Sequence, residues 1–226
     1  IFLRAVELAS GEEIWSNTDS GSIFMPQPHG GANAESGVSA QGYLAASEQQ
    51  LFVPTGRAVP AAFALESGKF QYFHLQKFGH NGGSDVMVSG PGVFNAGIAF
   101  LAASGEKVRG VGAGGVFAAT PERVIRCSKK GLEAHSWIET ERPDRKGRKK
   151  PEWRLALAAS GRSVDQVECV AIAGDTVVVG GPGEVSGHAL SSREDGSEAL
   201  ARRWSLPVDG LAVDLAIADE LLFVST

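Results

Sequence analysis

Chemistry in this chain would have to come from a few polar residues set in glycine-rich turns. The stretch His80-Asn81-Gly-Gly-Ser84-Asp85 holds an imidazole, an amide and a carboxylate, directly before an apolar run. Such a set offers ligands to a metal or a polar molecule, although calcium asks for six or more oxygens. The alternative is a plain polar turn. Arg57 lies in Pro54-Thr-Gly-Arg-Ala-Val-Pro60, where Gly and Pro shape a firm loop. A guanidinium there could clamp a carboxylate or phosphate through paired hydrogen bonds. Asn95 follows a similar strand in Phe94-Asn-Ala-Gly97. Arg57, His80, Asn81, Asp85 and Asn95 are thus the candidate ligand-binding residues, with capping of loop backbone as the other role open to Arg57 and Asn95.

No catalytic residue can be nominated. The chain has no Gly-x-Ser-x-Gly elbow and no Cys-x-x-Cys, His-Glu-x-x-His or Walker-type loop. Cys127 and Cys169 lie 42 apart (169 − 127) and could pair, but the spacing shows no metal or redox pattern, and buried free thiols in strands are the preferred reading. Arg142 to Lys150 carries six basic residues, but Glu139, Glu141 and Asp144 dilute them and no aromatic ladder accompanies them. A solvated insertion loop at about 139–152 is expected, with no nucleic-acid role. Net charge is −5 and pI about 5.6, so no general attraction to nucleic acid or anionic membrane is expected. No apolar run approaches the ~18 residues that span a bilayer.

The elements that position these residues read as many short strands. The chain has 226 residues, 29 of them Gly, which suits tight turns better than helices. Ala171-Ile-Ala-Gly-Asp-Thr-Val-Val-Val-Gly180 returns as Ala216-Ile-Ala-Asp-Glu-Leu-Leu-Phe-Val224, 45 residues later (216 − 171). Each is a strand, a two-residue turn and a stronger strand, with turns at Gly174-Asp175 and Asp219-Glu220. Leu44 to Val53 is a further copy. Repetition of a hairpin at about 40–45 residues marks a propeller-type array. Ser10-Gly11, Ser67-Gly68 and Ser104-Gly105 recur as turns whose Gly should be left-handed. Gly90-Pro91-Gly92 and Gly181-Pro182-Gly183 are read as one shared turn device. Residues 16–42 are read as a long ordered loop without a core of its own. Strong strands centre on Phe52, Met87, Phe117, Val178 and Phe223, giving about five repeat units in a single domain. Trp15, Trp137, Trp153 and Trp204 are read as strand-end aromatics packing between repeats.

The segments Ala5-Val-Glu-Leu-Ala-Ser-Gly-Glu-Glu-Ile-Trp15 and Ala99-Phe-Leu-Ala-Ala-Ser-Gly-Glu106 resemble the repeat of quinoprotein-like (PQQ-like) β-propellers, roughly Ala-Leu-Asp-x-x-Thr-Gly-x-x-x-Trp. The family's Asp is Glu7, Leu101 and Glu66 here, and its Thr is Ser10, Ser104 and Ser67. The resemblance implies an all-β propeller of four-stranded blades. The catalytic members use a bound quinone, calcium and often a disulfide between adjacent cysteines, and this chain has no adjacent cysteines. The expectation is a non-enzymatic binding or scaffold domain of a larger bacterial protein, periplasmic or extracellular, without a cofactor. Its partner would be a protein or a small polar ligand, and its open edges would meet further blades or a second copy. The alternative is the quinone-binding part of a calcium-dependent dehydrogenase, with PQQ and calcium as cofactors.

Overall fold

In a computed structural model of the chain, the described residues are 3–27, 31–75, 77–78, 82–83, 85–112, 114–143, 146–162, 166–192 and 198–226. They form strands and turns, with no helix among them. The strands are β1 (Leu3–Val6), β2 (Glu13–Asn17), β3 (Ile23–Pro26), β4 (Asn33–Ser36), β5 (Ala45–Ala46), β6 (Gln50–Val53), β7 (Ala61–Ala64), β8 (Phe70–Tyr72), β9 (Val86–Ser89), β10 (Gly92–Asn95) and β11 (Ile98–Leu101). They continue with β12 (Val116–Ala119), β13 (Arg123–Ser128), β14 (Gly131–Pro143), β15 (Lys149–Gly161), β16 (Cys169–Ala173), β17 (Thr176–Ser192), β18 (Glu198–Leu211), β19 (Asp214–Ala218) and β20 (Leu221–Ser225). Two compact units divide them, residues 1–108 and 109–226.

In the first unit the sheets are β1-β2, β3-β4, the four-stranded meander β5-β6-β7-β8, and β9-β10-β11. The meander is apolar on both faces, as a sheet covered on both sides must be. Val53, Ala61 and Phe63 pack with Leu3, Met25 and Val38, while Phe52 and Ala62 pack with Val93 and Phe100. Residues 16–42 differ from the expected loop: they carry the β3–β4 hairpin and give Met25 and Val38 to the core. Their apolar residues are sparse among Ser, Gly and Asn, which hides a strand pair that needs only one buried face.

The three Ser-Gly turns share one geometry. Gly11, Gly68 and Gly105 have φ of 73°, 66° and 68°. In each, the Gly N–H donates 2.8 Å back to the carbonyl of Glu7, Ala64 or Leu101, and that residue's N–H donates 2.8 Å to Glu12, Lys69 or Glu106. The turns also dock. Four residues after Gly11, the Trp15 indole N–H donates 2.9 Å to the carbonyl of Leu65. A Cβ on Gly68 would lie 2.3 Å from that ring. Four residues after Gly68, the Tyr72 hydroxyl donates 2.7 Å to the carbonyl of Ala102, and a Cβ on Gly105 would lie 3.1 Å from the Tyr72 ring. Leu65 and Ala102 both stand three residues before their turn glycine (68 − 65; 105 − 102). Each aromatic therefore clamps the next turn in the chain. At Gly68 only a residue without a side chain leaves room for the ring.

In the second unit one sheet runs β12-β13-β14-β15-β18-β17-β16. It is antiparallel except where Ala159 and Ser160 pair with Glu198 and Ala199 in parallel. Edge strands β12 and β16 approach each other, so the sheet curls into a nearly closed barrel. Ile125, Cys127, Leu132, Ala134, Ala159, Val177, Val179 and Leu200 form one core cluster. On the opposite face of β16 and β17, the hairpin β19-β20 lays Leu215, Ile217, Leu222 and Val224 over Cys169, Val178, Val185 and Ala212. Its turn, Asp219-Glu220, has φ of 47° and 63°, the doubly left-handed form that matches strand twist. Gly174 takes φ 56° at the first position of the other expected turn.

Two expectations are corrected here. Gly90-Pro91 is a turn between β9 and β10, but Gly181-Pro182-Gly183 lies inside β17, where the register with β18 shifts between Pro182 and Glu184. The same tripeptide bends a continuous strand because β18 is long enough to pair on both sides of it. The charged stretch at 139–152 is a two-stranded arm, paired from Glu139↔Trp153 out to Pro143↔Lys149. Arg142–Glu152 at 3.3 Å and Lys149–Glu141 at 2.8 Å cross its strands, so opposite charges face each other where a bare loop was expected.

Candidate functional site

Asn95 ends β10, before a turn in which Ala96 and Gly97 are both left-handed at φ 49° and 72°. Its side chain is buried and fully used. Oδ1 accepts 2.7 Å from the N–H of Gly83, and Nδ2 donates 2.9 Å to the carbonyl of Arg57 and 3.2 Å to that of Ala58. A further backbone bond runs 2.9 Å from Gly82 N–H to Gly56 carbonyl. Gly82 must be glycine, since a Cβ there would sit 1.9 Å from the Arg57 oxygen. The amide thus fastens the 56–58 loop to the 82–83 loop.

Two of the five candidate residues, Asn95 and Arg57, meet in this clamp. Arg57 meets Asn95 through its backbone and stays half-buried, and Asp85 is exposed directly before β9, whose Val86 pairs with Asn95. His80 and Asn81 lie outside the described residues. Asn95 takes the capping role that stood open for it. The Asn95 oxygen accepts from Gly83, and no group of three or more His, Cys, Asp or Glu gathers among the described residues.

A second place was not singled out by the sequence. One end of the unit-two barrel opens into a cavity of about 490 Å³ lined by Gly115, Arg126 to Lys130 and Gln166 to Glu168. Ser128 pairs with Gly131, so Lys129-Lys130 is the two-residue turn joining β13 to β14, and both lysines are exposed. Arg126 is committed elsewhere, with Nη1 2.9 Å from Glu133 and Nε donating 3.0 Å to the Gly114 carbonyl. Neither lysine has an ion-pair partner among the described residues. Burial pushes the Cys127 thiol up to about 12, so it lines the cavity as a neutral, unreactive group. The only local signal was a Lys-Lys-Gly turn, whose meaning depends on Gln166 to Glu168 arriving from the other edge of the sheet, where β16 approaches β12.

Three histidines are held neutral, His135 and His188 buried and His74 half-buried. His74, His135 and His188 are all held below the usual range, in each case chiefly by burial. His135 leans on Glu133 at 3.4 Å and His188 on the Ser186 hydroxyl at 3.0 Å. Burial would raise the Glu133 carboxyl, but Arg126 and His135 outweigh it and hold it low. Ser186 and His188 do not form an accessible nucleophile pair, being 0% and 3% exposed. A lowered histidine pKa means that the unfolded chain binds protons first. Stability is therefore full above about pH 6.5 and falls as pH drops below it. Melting between pH 7.5 and 5 should show a falling Tm, and His135→Phe with His188→Phe should flatten that fall. A Tm that stays level to pH 5 would contradict the assignment.

No protein-family model matches the chain, and no curated protein matches it in sequence. Among solved structures it is similar to the computationally designed Ika8 protein, at 12% identity over 83% of this chain and 70% of that one, TM-score 0.42. It is also similar to the N-terminal domain of Nup159, at 12% identity over 71% of this chain and 47% of that one, TM-score 0.39.

Proposed function

We propose that the chain is a non-catalytic binding module built from β-propeller-type repeats, and that it binds at the mouth of the unit-two barrel. The observation that carries the binding role is the cavity of about 490 Å³ with two unpaired lysines at its rim. Its size suits a small ligand or a protruding side chain. The repeat reading is supported by Trp15 and Tyr72, which sit at the same distance from their own Ser-Gly turn and dock on the next one. It is supported too by the four-stranded meander covered on both faces. Each such sheet is taken as one blade.

The competing reading is a quinone enzyme, and it is separated by thermal melting with pyrroloquinoline quinone and calcium. An unchanged melting curve is expected. A cofactor at 100 times its dissociation constant would stabilise its binding site by about 2.7 kcal/mol, and a saturable shift of that order would overturn the non-catalytic reading.

A further inference from the structure

We propose that the mouth of the unit-two barrel takes a small organic anion, with one carboxylate or phosphate group held between the ammonium groups of Lys129 and Lys130. This rests on the reading of the mouth as the binding site, and adds the chemical class of what enters it.

Several cations of this unit are spent on cross-strand partners: Arg126 on Glu133, Arg142 on Glu152, Lys149 on Glu141 and Arg202 on Glu184. Lys129 and Lys130 are instead placed side by side at a cavity rim by a two-residue turn. Their mutual repulsion is relieved by an anion between them. The Ser128 hydroxyl accepts 3.3 Å from the Lys130 N–H, which fixes the turn and leaves the hydroxyl proton available to a ligand oxygen. Below the charged rim, Cys127 and Val167 offer an apolar wall. The neutral Cys127 thiol brings no repulsion. A ligand with an anionic end and a short carbon body satisfies both zones. Glu168 on the opposite lip disfavours a second negative charge at that end.

The test is amide chemical-shift titration of the full chain at low salt, where exposed charges are least screened. Sodium phosphate and sodium acetate are the two anionic probes, and choline chloride is the cationic one. Saturable shifts at Ser128 to Lys130 and Gln166 to Glu168 with an anion are expected, and the better probe identifies phosphate or carboxylate. The double variant Lys129→Glu with Lys130→Glu should weaken that binding by about tenfold or more, since two charge-assisted contacts are replaced by repulsion. Lys149→Glu with Lys150→Glu, equally charged but on the arm, should leave it unchanged. Both sites are exposed, so the fold survives. Equal affinity in the rim variant, or no saturation by either anion, overturns the proposal. Saturation by choline alone keeps the mouth as a binding site and rejects the anion, whereas silence from all three probes rejects the site as well.

Discussion

Gly68→Ala should destabilise the chain by about 3 kcal/mol, while the same change at Gly11 should cost only about 1. The two glycines hold the same turn, at φ 66° and 73°. A left-handed conformation penalises any side chain by roughly 1–2 kcal/mol, and that part is common to both. They differ in what lies over them. Around Gly11 nothing falls within 4 Å of an added Cβ, whereas at Gly68 the methyl would meet Trp15 at 2.3 Å. The ring must then lift, which strains its bond to the Leu65 carbonyl and opens the core it shares with Phe63. Overpacking of this kind adds about 1–3 kcal/mol. Gly105 should fall between, with Val59 at 2.8 Å and Tyr72 at 3.1 Å. Urea denaturation of the three variants measures the order, and equal costs at Gly11 and Gly68 would refute it.

Asn95→Ala should cost about 3 kcal/mol, because it leaves one buried and two part-buried backbone groups without their partner at about 1 kcal/mol or more each. Those groups are the Gly83 N–H and the carbonyls of Arg57 and Ala58. Asn95→Leu should do no better, since filling the space does not restore the bonds. Arg57→Ala should stay within about 0.5 kcal/mol, as a half-exposed side chain without a buried role. The comparison separates a structural clamp from a ligand site. If Arg57→Ala proves as damaging as Asn95→Ala, the clamp is not where the stability lies.

Much of the architecture is legible in the sequence where one residue type is forced. Gly11, Gly68 and Gly105 were expected to be left-handed, and they are, because each turn reverses the chain with a conformation other residues resist. The turns at Gly174-Asp175 and Asp219-Glu220 were equally plain, lying between apolar runs that pair in register. What stayed hidden depends on partners far along the chain. The β3–β4 hairpin buries only Met25 deeply, so its pattern is faint. Gly181-Pro-Gly183 looks like Gly90-Pro-Gly92, yet the presence of β18 decides between a bend and a turn. The charged arm pairs through Arg142–Glu152 and Lys149–Glu141, a cross-strand match invisible when its charges are read in order. Among the candidate residues, Asn95 was found by its place at a strand end, but its use could be settled only by seeing the Arg57 and Gly83 backbones converge on it. Lys129 and Lys130 gave no signal, since a basic turn is ordinary until a cavity lies beneath it.

The Trp15 indole locks the Ser67-Gly68 turn, and a double-mutant cycle between Trp15 and Gly68 tests this most directly. With Trp15→Leu in place, Gly68→Ala should cost only the backbone part, about 1 kcal/mol, giving a coupling of about 2 kcal/mol. If Gly68→Ala costs the same with and without the indole, the two residues do not act as one lock.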